Sequence, residues 1–139
     1  MIVLDTNVVS EPLRAVPDPR VVSWLDAQPL ETLFLSVVTL AELRFGMARM
    51  PAGRRRSGLI ERLEGQVLPA FAGRVLSFDP SASVSYATAM AAALSRGQTV
   101  GMADGLIAAT AIAHGMTVAT RDTSPFVAMG VAVIDPWLS

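Results

Sequence analysis

The 139-residue chain contains no cysteine and no lysine, and each absence removes a class of chemistry. Without cysteine there is no disulfide bond, no zinc–cysteine site and no thiol nucleophile. Without lysine there is no Schiff-base intermediate and no lysine-dependent phosphate loop. Because a chain free of cysteine is typical of a reducing compartment, we expect a cytoplasmic protein.

Long hydrophobic runs and a strong net charge are also missing. No stretch of about 18 residues is continuously apolar, and the first residues, Met1 to Asp5, carry no basic segment. We therefore expect neither a membrane span nor a secretory signal peptide. The formal net charge is −1, whereas proteins that coat nucleic acid are strongly basic. Any contact with nucleic acid is expected to be local or metal-assisted.

Apolar sequence is abundant: hydrophobic residues make up 52% of the chain and charged residues 17%. This composition is typical of a folded globular protein rather than a disordered one. The length fits one domain spanning residues 1–139, and no repeat, linker or low-complexity tract divides it. We therefore expect a single domain with a substantial core.

Short apolar runs alternate with longer helical patterns along the chain. The strand candidates are residues 2–4, 32–36, 74–78, 116–120 and 131–134. The helix candidates are residues 8–14, 20–27, 38–50, 57–71, 81–96 and 101–115, and a short helix containing Phe126. Ser81 or Ser83 is expected to cap the fifth helix. This alternation predicts an α/β fold with a central, mainly parallel sheet of four to five short strands flanked by helices.

Four carboxylates lack surface-like neighbours: Asp5, Glu42, Asp104 and Asp122. Asp5 and Asp122 directly follow strand candidates, and Glu42 is in the helix entered after the second strand. Because the carboxyl ends of parallel strands meet at one edge of a sheet, we expect these three on a common rim. Asp104 follows no strand. It occupies the first turn of a helix that is apolar on almost every face, and such helices are buried.

Each acid taken alone also has a structural explanation. Glu42 fits a capping box with Thr39, Asp104 complements a helix dipole, Asp122 caps the next helix, and Asp5 forms a turn. These explanations weaken when the four are taken together.

Four carboxylates on one rim would repel one another, which these separate structural explanations do not address. Two carboxylates about 4 Å apart repel by roughly 4 kcal/mol at an effective dielectric constant of about 20. Arg44 and Arg121 are the only cations adjacent to any of the four acids in the sequence, and they do not balance them. The natural counter-ion is a hard divalent cation such as Mg²⁺, which takes oxygen ligands.

Four motifs follow one another in the order Asp5-Thr6-Asn7, Ser36-Val-Val-Thr39-Leu-Ala-Glu42-Leu, Ala103-Asp104-Gly-Leu-Ile-Ala-Ala-Thr110-Ala and Val118-Ala-Thr120-Arg121-Asp122. In this order they resemble the motifs of PIN-domain ribonucleases over almost the whole chain. The resemblance is greatest to the VapC-type toxins of bacterial toxin–antitoxin pairs, in the FitB-like branch. It implies a single PIN-like domain that is a metal-dependent endoribonuclease and hydrolyses phosphodiesters of tRNA or mRNA with a metal-activated water.

The resemblance also implies roles for individual residues. The ligands of Mg²⁺ or Mn²⁺ would be Asp5, Glu42, Asp104 and Asp122. Thr6, Asn7 and Thr120 would support those ligands by hydrogen bonds. One position departs from the family pattern, which often reads Thr-Arg-Asn-x-x-Asp-Phe, because Pro125 stands where that pattern has its later acid. Asp122 stands where that pattern has its asparagine, and we expect Asp122 to substitute for the missing later acid.

Partners beyond an RNA substrate are implied as well. Toxins of this type form homodimers and larger toxin–antitoxin assemblies, and a cognate antitoxin silences them with a segment across the groove. The antitoxin usually carries the DNA-binding part, so we expect contact with DNA only through it. Arg54, Arg55 and Arg56 form a run that could hold RNA phosphates, although a solvated loop is the simpler interpretation.

Other functions stay open at this point. Asp5 could form an aspartyl-phosphate, as in haloacid-dehalogenase-like phosphotransferases. Those proteins have an acid two residues later, where this chain has Asn7, and they commonly use a lysine. A non-catalytic PIN-like module would bind a partner or RNA without metal-dependent turnover. A hydrolytic triad is disfavoured because His114, the only histidine, lies at a helix C-terminus, where it complements the dipole.

Overall fold

The computed structural model describes residues 1–139 and has one five-stranded sheet at its centre. The strands are β1 (Ile2–Leu4), β2 (Leu33–Ser36), β3 (Val75–Leu76), β4 (Thr117–Ala119) and β5 (Val133–Ile134). All neighbouring strands are parallel and lie in the order β3-β2-β1-β4-β5. The predicted α/β fold with a parallel sheet is confirmed.

Seven helices cover the two faces of the sheet. They are α1 (Thr6–Ser10), α2 (Pro19–Ala27), α3 (Val37–Ala48), α4 (Arg54–Arg62), α5 (Pro80–Ser95), α6 (Met102–Ala113) and α7 (Thr123–Ala128). A 3₁₀ turn, Glu11–Leu13, follows α1, and α4 continues through a π turn, Leu63–Val67, into a last helical turn, Leu68–Ala70. No helix is long and apolar enough to span a membrane.

Two details of the predicted helices are wrong. The cap of α5 is Asp79, whose Oδ1 accepts a hydrogen bond from the backbone N–H of Ala82, and neither Ser81 nor Ser83 takes that place. The run from Arg54 to Arg56 is the first turn of α4 rather than a solvated loop, because the helix begins three residues earlier than the apolar pattern indicated.

The strand order fixes where a ligand can bind. From β1 the chain builds outward on one side through β2 and β3, and it then returns to the other side of β1 for β4 and β5. A crevice opens outside the carboxyl ends of the strands where the winding direction changes, which here is at β1. Asp5 is the first residue after that strand.

Alternation along β1 divides the core between the two faces of the sheet. Val3 packs with Ile107 of α6 and with Phe126, whereas Leu4 packs with the cluster under α1 and α3. Helix α6 is buried as predicted, with Ile107 fully inaccessible. Its first turn packs closely on α5: a Cβ at Gly105 would lie 2.7 Å from Met90 Cε. This close approach lies at the turn that carries Asp104.

Candidate active site at the carboxyl edge of the sheet

Asp5 is held by hydrogen bonds on both carboxylate oxygens. It is the N-cap of α1, where Oδ1 accepts from the backbone N–H of Thr6 at 2.8 Å. Oδ2 accepts from Thr120 Oγ1 at 2.7 Å and from Asn7 Nδ2 at 3.4 Å. Burial raises the pKa of Asp5, since only 4% of the residue is exposed, and the bonds from Thr120 and Thr6 oppose that shift.

Thr120 joins the end of β4 to the end of β1. It is fully buried, and its hydroxyl also accepts a hydrogen bond from the backbone N–H of Asp122 at 3.1 Å. Asn7 strengthens the junction, because its Oδ1 accepts from the backbone N–H of Arg121 at 3.3 Å. The predicted supporting positions of Asn7 and Thr120 therefore have a geometric basis: both hold Asp5 and the loop that carries Asp122.

Glu42 points from α3 toward the same edge. Thr6 Oγ1 donates a hydrogen bond to Glu42 Oε1 at 2.6 Å, and Thr39 Oγ1 lies 3.3 Å from Thr6 Oγ1. The capping box proposed for Thr39 and Glu42 is wrong. The N-cap of α3 is Ser36, whose Oγ accepts from the backbone N–H of Thr39 at 3.1 Å. Since Glu42 has no capping role, its exposed carboxylate is available at the rim.

Asp104 completes the group from the opposite side. Burial raises its pKa to about 6, and the negative charges of Asp5, Asp122 and Glu42 each add to the shift. Asp122 and Glu42 also raise the pKa of Asp5. Asp5 and Asp104 therefore lie within electrostatic range of each other, and each is within range of Glu42 and Asp122.

Asp122 is free of the structural role considered for it. It occupies the N-cap position of α7, but its side chain accepts no capping hydrogen bond. The side chain is exposed, so it can reach a ligand at the rim. His114 lies at the far end of the helix that begins beside Asp104, about 15 Å away at 1.5 Å per residue, and it cannot join the acids in a triad.

The basic residues do not neutralise the acids. Arg44 pairs with Glu64 at 2.9 Å, and Arg121 lies over the ring of Trp137 at 5.1 Å. Of the arginine run, Arg55 lines a groove of about 230 Å³ that also includes Glu42. The apolar residues Leu43, Met47 and Leu59 also line this groove, and so does Arg14. Sequence reasoning missed Arg14 and Trp137, because no local pattern places either one beside the acids.

A family model described as PIN domain matches residues 2–131. The chain belongs to the PIN domain family. Among curated relatives, this PIN domain is 64% identical to the VapC ribonuclease Y4jK of Sinorhizobium fredii over 99% of the chain and 98% of that protein. It is 53% identical to Toxin FitB of Neisseria gonorrhoeae over 99% of both chains.

Solved structures agree with these relationships. The PIN domain superposes on FitAcB from Neisseria gonorrhoeae with a TM-score of 0.95 at 52% identity, over 99% of both chains. It matches FitAB bound to an IR36 DNA fragment equally well, over 99% of this chain and 96% of that one. VapBC-5 of Mycobacterium tuberculosis, from the VapBC family of toxin–antitoxin systems, matches with a TM-score of 0.70 at 28% identity over 95% of both chains. The resemblance to VapC-type and FitB-like toxins is confirmed.

The donor set of this PIN domain fits a hard divalent cation. No group of three acidic or histidine side chains converges closely enough to form a closed ligand set. Mg²⁺ does not need one, since it keeps several waters, binds one or two carboxylates directly and can be held by further carboxylates through those waters. Four acids, two of them exposed, offer the oxygen ligands that such an ion requires.

Proposed function

We propose that this protein is the ribonuclease toxin of a type II toxin–antitoxin pair, which hydrolyses phosphodiester bonds of tRNA or mRNA. The observation that carries the proposal is the group of four carboxylates, which come from separate elements and lie within electrostatic range at one rim. The names of the ribonuclease from Sinorhizobium fredii and the toxin from Neisseria gonorrhoeae support it.

Mg²⁺ or Mn²⁺ is the cofactor of this proposal, held by the rim carboxylates Asp5, Glu42, Asp104 and Asp122. Such a cation lowers the pKa of a bound water and stabilises negative charge on phosphoryl oxygens. Burial is the main cause of the raised pKa of Asp104, and the positive charge of the cation would relieve the repulsion from the other acids that adds to it.

The chain itself positions the ligands and the substrate. Thr120 and Asn7 hold the Asp5 carboxylate in one orientation, and Thr6 holds Glu42 toward it. Arg55 and Glu42 line the same groove, and we propose that the Arg55 guanidinium holds an RNA phosphate there. Arg54 and Arg56 share its helical turn and add positive charge at the start of α4.

The partners of this proposal are a cognate antitoxin and a second copy of the chain. Relatives of this PIN domain were solved in assemblies described as FitAB and VapBC, one of them bound to DNA. We propose that the chain forms a homodimer within a larger toxin–antitoxin assembly and contacts DNA only through the antitoxin.

An aspartyl-phosphate mechanism has no structural support. The side chain two residues after Asp5 is Asn7, whose amide already bonds to Asp5, Thr120 and the backbone of Arg121. It supplies no acid, and the chain has no lysine.

The test is cleavage of an end-labelled mixture of tRNA and mRNA by the purified chain in Mg²⁺, Mn²⁺ or EDTA. Asp104→Asn, purified identically, controls for contaminating nuclease. We expect discrete fragments that require the cation and are absent with the variant. Equal cleavage by the variant, or no cleavage with either cation, would overturn the catalytic proposal and favour a non-catalytic binding module.

A further inference from the structure

Most arginines of the chain have a hydrogen-bond partner within the protein. Six of them donate to a backbone or side-chain oxygen: Arg14, Arg20, Arg44, Arg62, Arg74 and Arg96. Arg121 donates no side-chain hydrogen bond and takes part in none of the three ion pairs. Its guanidinium therefore has donors to offer, and it is the neighbour in sequence of a rim carboxylate, Asp122.

Arg121 is nevertheless held in place. Its guanidinium carbon lies 5.1 Å from the centre of the Trp137 ring, and its backbone N–H donates to Asn7 Oδ1 at 3.3 Å. Trp137 is only 4% exposed, and its own backbone N–H donates to Asp135 Oδ1 at 2.9 Å. A guanidinium stacked on a fixed ring loses less conformational freedom when it binds a ligand.

A nearby acid does not satisfy this guanidinium. Asp18 is close enough for Arg121 to help lower its pKa, but both of its carboxylate oxygens are engaged by Arg20, at 3.2 Å and 2.8 Å. An exposed guanidinium that is held on a ring, has no carboxylate partner and follows the same strand as Asp122 suits the planar recognition of a phosphate.

We propose that Arg121, held on Trp137, binds a phosphate of single-stranded RNA adjacent to the one that is cleaved. This inference rests on the proposed ribonuclease function. Across the sheet, Glu42 follows β2, Asp5 follows β1, and Asp122 and Arg121 follow β4. RNA crossing the rim would pass from the groove that Arg55 and Glu42 line, on the β2 side of Asp5, to Arg121 on the β4 side; the ends of β2 and β4 are about two strand spacings, or roughly 10 Å, apart.

The ring under Arg121 comes from the C-terminal segment of the chain. The family model matches residues 2–131, and Trp137 lies beyond them. The C-terminal segment thus extends the substrate-binding surface in addition to closing the core.

Equilibrium binding tests this inference directly. The probes are two fluorescein-labelled single-stranded RNA oligonucleotides of unrelated sequence, titrated over a series of salt concentrations. Every protein carries Asp104→Asn so that no cleavage occurs during the titration. The variants added to this background are Arg121→Ala, Arg121→Lys, Trp137→Phe and Trp137→Leu. The matched control is Arg74→Ala, because Arg74 also lies over an aromatic ring, that of Phe71, but at the opposite edge of the sheet.

We expect Arg121→Ala to weaken binding of both oligonucleotides about ten-fold at low salt and to reduce the salt slope by about 0.7, the value for one phosphate on a single strand. Arg121→Lys and Trp137→Phe should have the salt slope of the parent. The affinity of Trp137→Leu should lie between those of the parent and Arg121→Ala, and the control should bind as the parent does. Unchanged affinity and slope in folded Arg121→Ala, with a parent that binds RNA, would overturn this inference alone. A parent that binds no RNA, together with a wild-type chain that cleaves none, would overturn the proposed function as well.

Discussion

Replacing Asp104 with asparagine should make the metal-free protein more stable, although it removes a residue assigned to the active site. The pKa of Asp104 is raised from 3.8 to about 6, so the ionised carboxylate is less favourable in the folded state than in the unfolded chain. A full difference of this size corresponds to about 3 kcal/mol. Because Asp104 is partly exposed, solvent screening reduces this to about 1 kcal/mol. The melting temperature of a domain of this size should rise by roughly 4 °C.

The sign of the pH dependence follows from the direction of the shift. Above pH 6 the folded protein bears the full cost of the charge on Asp104. As the pH falls from about 6 toward 3.8, the folded protein binds a proton at Asp104 while the unfolded chain stays ionised, and the cost is lost. The advantage of Asp104→Asn should therefore be greatest at pH 7.5 and small near pH 4.

Thermal unfolding in EDTA at a series of pH values measures this difference. Asp26→Asn, which removes an exposed acid of α2 distant from the rim, is the control and should leave the melting temperature unchanged. Adding Mn²⁺ at about 100 times its dissociation constant should stabilise the wild type by about 2.7 kcal/mol and Asp104→Asn much less. A variant that melts below the wild type in EDTA, or that gains as much from Mn²⁺, would refute the reasoning.

Three further substitutions probe the supports of the site. Thr120→Val removes a buried hydroxyl that bonds to Asp5, so it should cost about 1–3 kcal/mol in denaturant unfolding and lower cleavage. Gly105→Ala places a methyl 2.7 Å from the flexible end of Met90 and 3.1 Å from Tyr86 Cε2. Met90 can move aside, and alanine is favoured over glycine in a helix by about 1 kcal/mol, so the net change in denaturant unfolding should stay within about 1 kcal/mol; a loss above about 3 kcal/mol would contradict this. Ser36→Ala removes the cap of α3 and should cost about 1 kcal/mol without changing the cation requirement of cleavage.

The rim could be predicted because it depends on short-range order. Asp5 and Asp122 follow apolar runs directly, and in a parallel sheet the ends of strands meet at one edge whatever the details of packing. The resemblance to a known family, rather than topology, supplied Asp104. Asp104 follows a loop and not a strand, so its place at the rim depends on how α6 packs on α5, which no periodic pattern in the sequence predicts.

Other features could not be predicted because distant segments compete with local patterns. Thr39 and Glu42 have the spacing of a capping box, but a better cap, Ser36, precedes them at the end of β2. The contact between Arg121 and Trp137 joins the loop after β4 to the C-terminal segment. Such a contact becomes visible only when the sheet order is known.

The double engagement of Asp5 bears on how an inactive form of this protein should be made. One of its carboxylate oxygens caps the start of α1, and the other accepts hydrogen bonds from Thr120 and Asn7. In Asp5→Asn, the NH₂ group would replace one of these oxygens and could not accept a hydrogen bond from those donors. A preparation altered at Asp5 would mix loss of activity with loss of local order. Crystallisation with RNA, or expression in a host that the active chain would harm, is better served by a change at Asp104, which accepts no hydrogen bond from the fold.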